Sequence, residues 1–264
     1  LMALCSVITV GYLVYRGLYT LNLETWYATT ASWVLYVAEL WGGMSLLLFF
    51  LQIWEPTDLK EEPPLEGVTI DVFVPSYNEG IPILRGTLQA CLAMELPHRT
   101  YLLDDGNRDW LRDFCDEHGV NYIVRPQHTH AKAGNINHAL AETGGDLVAV
   151  FDADFVPYRW FLKRTVGFFD DPAIGIVQTP QHFFNRDPVQ RNLWIADLWP
   201  DEQRLFFDHL APSLDAWDSM FCCGSCAVMR RKAVDAIGGI PTQSITEDIL
   251  TTLEMLRAGY RTRY

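Results

Sequence analysis

Basic residues are scarce in this chain: 20 Lys and Arg stand against 33 Asp and Glu in 264 residues, a net charge of −13. That balance argues against nucleic acid or anionic lipid headgroups as the main partner, since both demand a cationic surface. Cysteine is sparse too, six residues at positions 5, 91, 115, 222, 223 and 226. Only Cys222-Cys223-Gly224-Ser225-Cys226 clusters, and no second Cys or His pair stands at zinc spacing. A zinc knuckle is therefore not expected, and reduced thiols in a cytosolic domain are. The chain also lacks internal repeats and low-complexity tracts, which argues against a solenoid or a disordered array.

What it has in quantity is apolar sequence at the start. Residues 1–21 carry one charge, Arg16, and residues 29–54 carry one, Glu39, with residues 46–51 continuously apolar. A bilayer core about 30 Å thick needs roughly 20 apolar residues as helix, and both segments supply them. Tyr19, Trp26, Tyr27 and Trp54 fall where interfacial aromatics belong. Residues 1–54 thus read as two transmembrane helices in a hairpin joined by residues 22–28, the alternative being two buried helices of a soluble bundle. Arg16 and Glu39 are costly in lipid and should face protein or each other. Leu1 lies inside an apolar run and residues 261–264 open another strand, so both ends are expected to lie inside a longer protein.

Residues 55–67 hold Pro56, Pro63 and Pro64 among charges and read as a linker. From residue 68 to 264 short apolar runs alternate with amphipathic stretches, the signature of an α/β domain. Strands are expected at 69–74, 101–103, 120–125, 146–151 and 175–179. Helices are expected at 83–94, 110–118, 133–142, 192–208 (broken near Pro200) and 249–258. The 146–151 run follows Gly144-Gly145 and has the composition of a strand buried on both faces.

That strand ends in Asp152-Ala153-Asp154. Open α/β sheets bind ligands at the carboxyl ends of their strands. Alternation along an extended chain would aim both carboxylates the same way, toward one hard cation, Mg²⁺ or Mn²⁺, able to hold a diphosphate. Solvated acids at a strand end are the plainer alternative. Two earlier strands end in comparable polar loops, Tyr77-Asn78-Glu79 and Asp104-Asp105-Gly106. A uracil ring needs a flat surface, which Tyr77 offers, and an acceptor for its imide, which Asp104 or Asp105 offers. Lys132 could neutralise diphosphate. Taken singly, these are a turn tyrosine, a tight turn and a surface lysine. Downstream, small residues around Cys223-Gly224-Ser225 allow a close backbone approach to a ligand. Thr246-Glu247-Asp248 opens a helix, either as a cap with acids at its positive end or with Asp248 as a general base.

The ordered set Tyr77-Asn78-Glu79, Asp104-Asp105-Gly106, His130-Ala131-Lys132-Ala133-Gly134-Asn135, Asp152-Ala153-Asp154, Gln178-Thr179-Pro180, Cys223-Gly224-Ser225 and Thr246-Glu247-Asp248 resembles that of bacterial cellulose synthase catalytic subunits, processive family-two glycosyltransferases. The resemblance runs from about residue 70 to the end, and the hairpin matches membrane segments preceding the family's catalytic domain. It implies a GT-A fold with a Rossmann-like mixed sheet, and an inverting enzyme that polymerises UDP-glucose into β-1,4-glucan. It places Tyr77, Glu79 and Asp104, with Asp105 adjacent, at the uridine, Lys132 at the diphosphate, and Asp152 with Asp154 at the metal. It makes Asp248 the base, counts Asp104 and Asp105 among the catalytic acids, and puts Cys223, Gly224, Ser225, Thr246 and Glu247 beside the acceptor. The implied setting is the bacterial inner membrane, multi-pass, with a cytoplasmic catalytic domain, a growing β-glucan chain, the lipid bilayer and a periplasmic partner subunit. Cys222 departs from the pattern, standing where a second Phe precedes Cys-Gly-Ser. The Gln-x-x-Arg-Trp motif, channel helices and cyclic-di-GMP-binding domain do not occur in these residues. Other β-glucans (curdlan or mixed-linkage) stay open as products, as does a non-catalytic scaffold role, against which the intact acids count.

Overall fold

The computed structural model describes every residue except Glu55, Asp58, Leu59, Glu61, Ala196 and Asp197. The chain divides into two compact units, residues 1–56 and 57–264. Part of the expected 55–67 linker therefore lies outside the described residues.

The first unit is a pair of helices, α1 (Met2–Tyr19) and α2 (Trp26–Gln52). Both are long and apolar enough to cross a membrane, with mean hydropathies of 1.3 and 1.8. The Thr25 side chain accepts the Ala28 N–H at the start of α2, which fixes that helix end. The Arg16 guanidinium reaches the Glu39 carboxylate at 3.1 Å, and the Tyr36 hydroxyl donates to the Leu13 carbonyl at 3.1 Å. The two charges meet each other, as expected.

The second unit is built on seven strands: β1 (Ile70–Ser76), β2 (Arg99–Asp104), β3 (Asn121–Ile123), β4 (Leu147–Val150), β5 (Ile174–Gln178), β6 (Ala227–Arg230) and β7 (Arg261–Arg263). Their order in the sheet is β3-β2-β1-β4-β6-β5-β7. The first four strands are mutually parallel where they pair, joined by α3 (Ile81–Leu92), α4 (Asp109–His118) and α5 (Ala131–Glu142). β6 runs antiparallel to both β4 and β5, and β7 returns parallel to β5. The result is the Rossmann-like mixed sheet that the family resemblance implies.

Side-chain alternation explains why the strands are apolar on both sides. Ile70, Val72 and Val74 pack into one core with Leu84, Leu88 and Leu111. Phe73, between them in sequence, points into a second core with Tyr101, Val148, Val150 and Ile136. Helices thus cover both faces, and polar chemistry is left to the strand ends. Inside this sheet Asp71 is buried, held by the Gly145 N–H at 2.7 Å and Arg231 at 3.1 Å.

Two expected elements differ. The strand expected at 120–125 is only Asn121–Ile123, because Arg125 leaves the sheet to pair with Asp105. The helix expected at 192–208 is two pieces. A capping box at Asp187 starts a short helix at Pro188–Asn192. A second helical run extends from Glu202 through a π-helical turn (Leu205–Leu210) to Ala216, opened by the Asp201 side chain accepting the Gln203 N–H. The expected break near Pro200 separates them.

Candidate functional site

Parallel strands deliver their carboxyl-terminal loops to one edge, and there the loops after β1, β2 and β4 and the start of α5 enclose a cavity of about 690 Å³. Tyr77, Glu79, Asp105, Lys132, Asp152 and Asp154 all line it. Pro75, Ile83 and Ala131 add apolar wall. Tyr77 is 65 % exposed. Glu79 turns back on its own loop: its carboxylate accepts from the Ser76 hydroxyl at 2.7 Å and the Tyr77 N–H at 2.8 Å. Burial pushes this carboxyl up, but those bonds and the nearby Arg108 charge hold it below its ordinary 4.5.

Asp104 and Asp105 are divided between two tasks. Asp105 lines the cavity and is bracketed by Arg125 at 2.6 and 2.7 Å, both residues being buried. Asp104 is not among the lining residues. It is fully buried and takes Arg108 at 2.8 Å, the Tyr122 hydroxyl at 2.7 Å and the Gly106 N–H at 2.8 Å. Burial raises its pKa, yet Arg108, Tyr122 and the backbone donors bring it below the ordinary 3.8. Arg108 also donates to the Glu79 carbonyl at 2.7 Å and the Ser76 hydroxyl at 2.6 Å. Through Arg108, Asp104 is tied to the loop that carries Tyr77.

β4 stops at Val150, so Asp152 and Asp154 stand on a turn, with the Phe155 N–H on the Asp152 carbonyl at 3.1 Å, and not on an extended strand. They still open into the same cavity. Lys132 pairs with Asp152 and donates to the Gly224 carbonyl at 2.6 Å. The Asp152 N–H donates to the Ser225 hydroxyl at 2.9 Å. β6 supplies the reason for this meeting: being antiparallel, its first residue, Ala227, lies beside Val150 of β4 and Gln178 of β5. The Cys223-Gly224-Ser225 loop that precedes it thus arrives at the same edge as the donor-side acids.

Asp248 closes this side. A β-carbon placed on Gly224, whose φ is +79°, would sit 3.2 Å from its carboxylate. Asp248 opens the Glu247–Arg257 helix, and its Oδ1 accepts the Ile249 N–H at 2.8 Å. The Thr246 side chain makes no capping bond; its hydroxyl meets Ser244 instead, at 3.0 Å. The helix is tied to the loop through Thr252, which accepts the Cys222 N–H at 2.8 Å and donates to the Asp248 carbonyl at 3.2 Å. Burial pushes the Cys222 thiol up to about 11 and Cys223 and Cys226 to about 12, so these thiols are held protonated.

Arg108, Arg125 and Gln178 hold these loops, and sequence reasoning assigned none of them a role. Arg108 stands four residues after Asp104, whereas Arg125 only ends the run expected as a strand at 120–125, so spacing offered a hint for Arg108 alone. Among the described residues no group of three or more His, Cys, Asp or Glu is placed to hold a metal. Two carboxylates on one cavity fit instead a cation completed by phosphate and water oxygens, the usual manner of Mg²⁺.

Residues 71–238 match the family described as glycosyl transferase family 2. The chain belongs to that family. It is 42% identical over its whole length to cellulose synthase 1 of Komagataeibacter xylinus, covering 18% of that protein. It is also 42% identical over its whole length to the UDP-forming cellulose synthase catalytic subunit of Pseudomonas fluorescens (strain SBW25), covering 37% of it. The chain thus spans well under half the length of these relatives. Its fold is similar to that of the mannosyltransferase PcManGT from Pyrobaculum calidifontis, solved with GDP-Man and Mn²⁺, with a TM-score of 0.62 at 22% identity over 82% of this chain and 61% of that one.

Proposed function

We propose that this chain is the donor-binding and catalytic portion of a membrane-anchored inverting glycosyltransferase that extends a β-1,4-glucan from UDP-glucose. The observation that carries the reading is the single cavity lined by Tyr77, Glu79, Asp105, Lys132, Asp152 and Asp154, with Asp248 beside the Gly224 loop at its edge. The cellulose synthase relatives support UDP-glucose as donor and glucan as product. The two apolar helices support membrane anchorage; the bacterial inner membrane, multi-pass topology, a cytoplasmic catalytic domain and a periplasmic partner subunit complete the proposal.

Transfer with inversion needs a base on the face opposite the leaving diphosphate. Asp248 takes the proton from the acceptor's terminal hydroxyl, while the small Cys223-Gly224-Ser225 loop lets that sugar lie close to the backbone. Tyr77 stacks on the uracil. Lys132 shifts its ammonium toward the departing diphosphate, charge stabilisation aimed at the transition state. Mg²⁺ or Mn²⁺ held by Asp152 and Asp154 would supply further positive charge to the leaving group.

Titrating UDP into the purified chain with and without Mn²⁺ tests the reading. Binding that tightens with Mn²⁺ is the expected result, and no UDP binding under either condition would overturn it. Linkage-specific glucanase digestion of product made by a protein of the relatives' length separates β-1,4-glucan from curdlan or mixed-linkage glucan.

A further inference from the structure

The Cys223–Cys226 loop has backbone that will not hold itself. Gly224 and Cys226 both have positive φ, +79° and +52°, and for a cysteine that conformation is costly. Two glutamine side chains span the loop: Gln181 donates to the Cys223 carbonyl at 3.4 Å and the Ser225 carbonyl, and Gln178 grips it through both ends of its amide. Gln178, at the end of β5 and fully buried, accepts the Cys223 N–H on its Oε1 at 2.8 Å. Its Nε2 donates to the Ser225 carbonyl at 2.9 Å. The two ends of one amide therefore bracket Gly224 on both sides, and the Gly224 carbonyl between them receives Lys132 at 2.6 Å. Gln181 adds a second donor to the Ser225 carbonyl, at 2.8 Å.

We propose that Gln178 is a positioning residue for the diphosphate: by bracketing Gly224 it aims the carbonyl that holds the Lys132 ammonium beside Asp152. A hydrophobic side chain of the same length would fill the volume, so packing alone does not call for an amide with both ends engaged. A role confined to folding would disturb every part of the cavity alike. A role through Lys132 acts on phosphate charge and spares the nucleoside end, where Tyr77 and Asp105 stand on other loops.

This inference rests on the donor reading above, and nucleotide length tests it. UMP and UDP are titrated calorimetrically into the unsubstituted chain, Gln178→Met and Gln178→Glu, the last keeping the volume and the acceptor while losing the donor. Lys132 carries a charge-assisted contact, so the gain in affinity from UMP to UDP should shrink by about tenfold in both variants, with UMP itself changing by less than about twofold. Variants that keep the full gain, or that weaken UMP and UDP equally while their unfolding temperatures match the unsubstituted chain, would overturn the inference and leave the donor reading intact. Absence of UDP binding by the unsubstituted chain would remove both.

Discussion

Lys132 is ion-paired with Asp152, 20 residues away in sequence, and shares its ammonium with the Gly224 carbonyl. A cation of the protein's own thus sits against a carboxylate proposed to hold an added one. Lys132→Met removes that internal counter-charge. UDP affinity should fall by roughly ten- to a hundredfold, the scale of a lost charge-assisted contact, while Mn²⁺ alone binds more tightly. Calorimetry with each ligand separately checks both directions.

Asp248 lies outside the nucleotide cavity, beside the loop proposed to meet the acceptor. Asp248→Asn should leave UDP affinity unchanged and lower UDP release from UDP-glucose by about 10²- to 10⁴-fold, the range for a lost general base. Turnover in a protein of the relatives' length, beside UDP titration, provides the comparison. Unchanged turnover would end the assignment.

Gly224→Ala tests the approach of loop and base. The position has φ +79°, and the new methyl would press on the Asp248 carboxylate at 3.2 Å. A non-glycine residue there costs about 1–2 kcal/mol. Turnover should drop more than UDP affinity, because the displaced group belongs to the acceptor side. Steady-state kinetics with varied UDP-glucose reads the split.

Arg125 is only 5% exposed and Asp105 8%, so the pair is a buried one. Arg125→Met leaves the Asp105 carboxylate without its bidentate partner and should destabilise the domain by about 3–5 kcal/mol. Denaturant unfolding measures the loss, and Asp105→Asn in the same background should recover part of it.

Acid stability has a defined sign. Asp104 and Glu79 both titrate below their ordinary values of 3.8 and 4.5 in the folded chain. A carboxyl depressed by folding contributes stability above its ordinary value and loses it as pH falls through the depressed one. Unfolding followed between pH 6 and about 3 should therefore show falling stability on the acid side. Asp104→Asn should flatten that slope and lower stability near neutrality.

The alternating fold, the two apolar helices and the Arg16–Glu39 pairing were legible because each follows from period, length or the cost of charge. So was the convergence of Tyr77, Asp105, Lys132, Asp152 and Asp154, since parallel strands send their ends to one edge. What escaped was the division between neighbours. Asp104 and Asp105 look equivalent in sequence, and their separate partners, Arg108 four residues on and Arg125 from the next strand's end, distinguish them. The turn at Asp152 and the uncapped Thr246 escaped for a similar reason: nearby partners decided them, not local propensity.

β6 runs against its two neighbours. A wholly parallel sheet would open a crevice furnished from one direction of travel, each loop leaving a strand. Reversing a single strand lets a loop that enters the sheet face loops that exit it, so one rim acquires two opposed banks. The proposed donor and acceptor would then each meet a bank of that rim built from its own direction of travel.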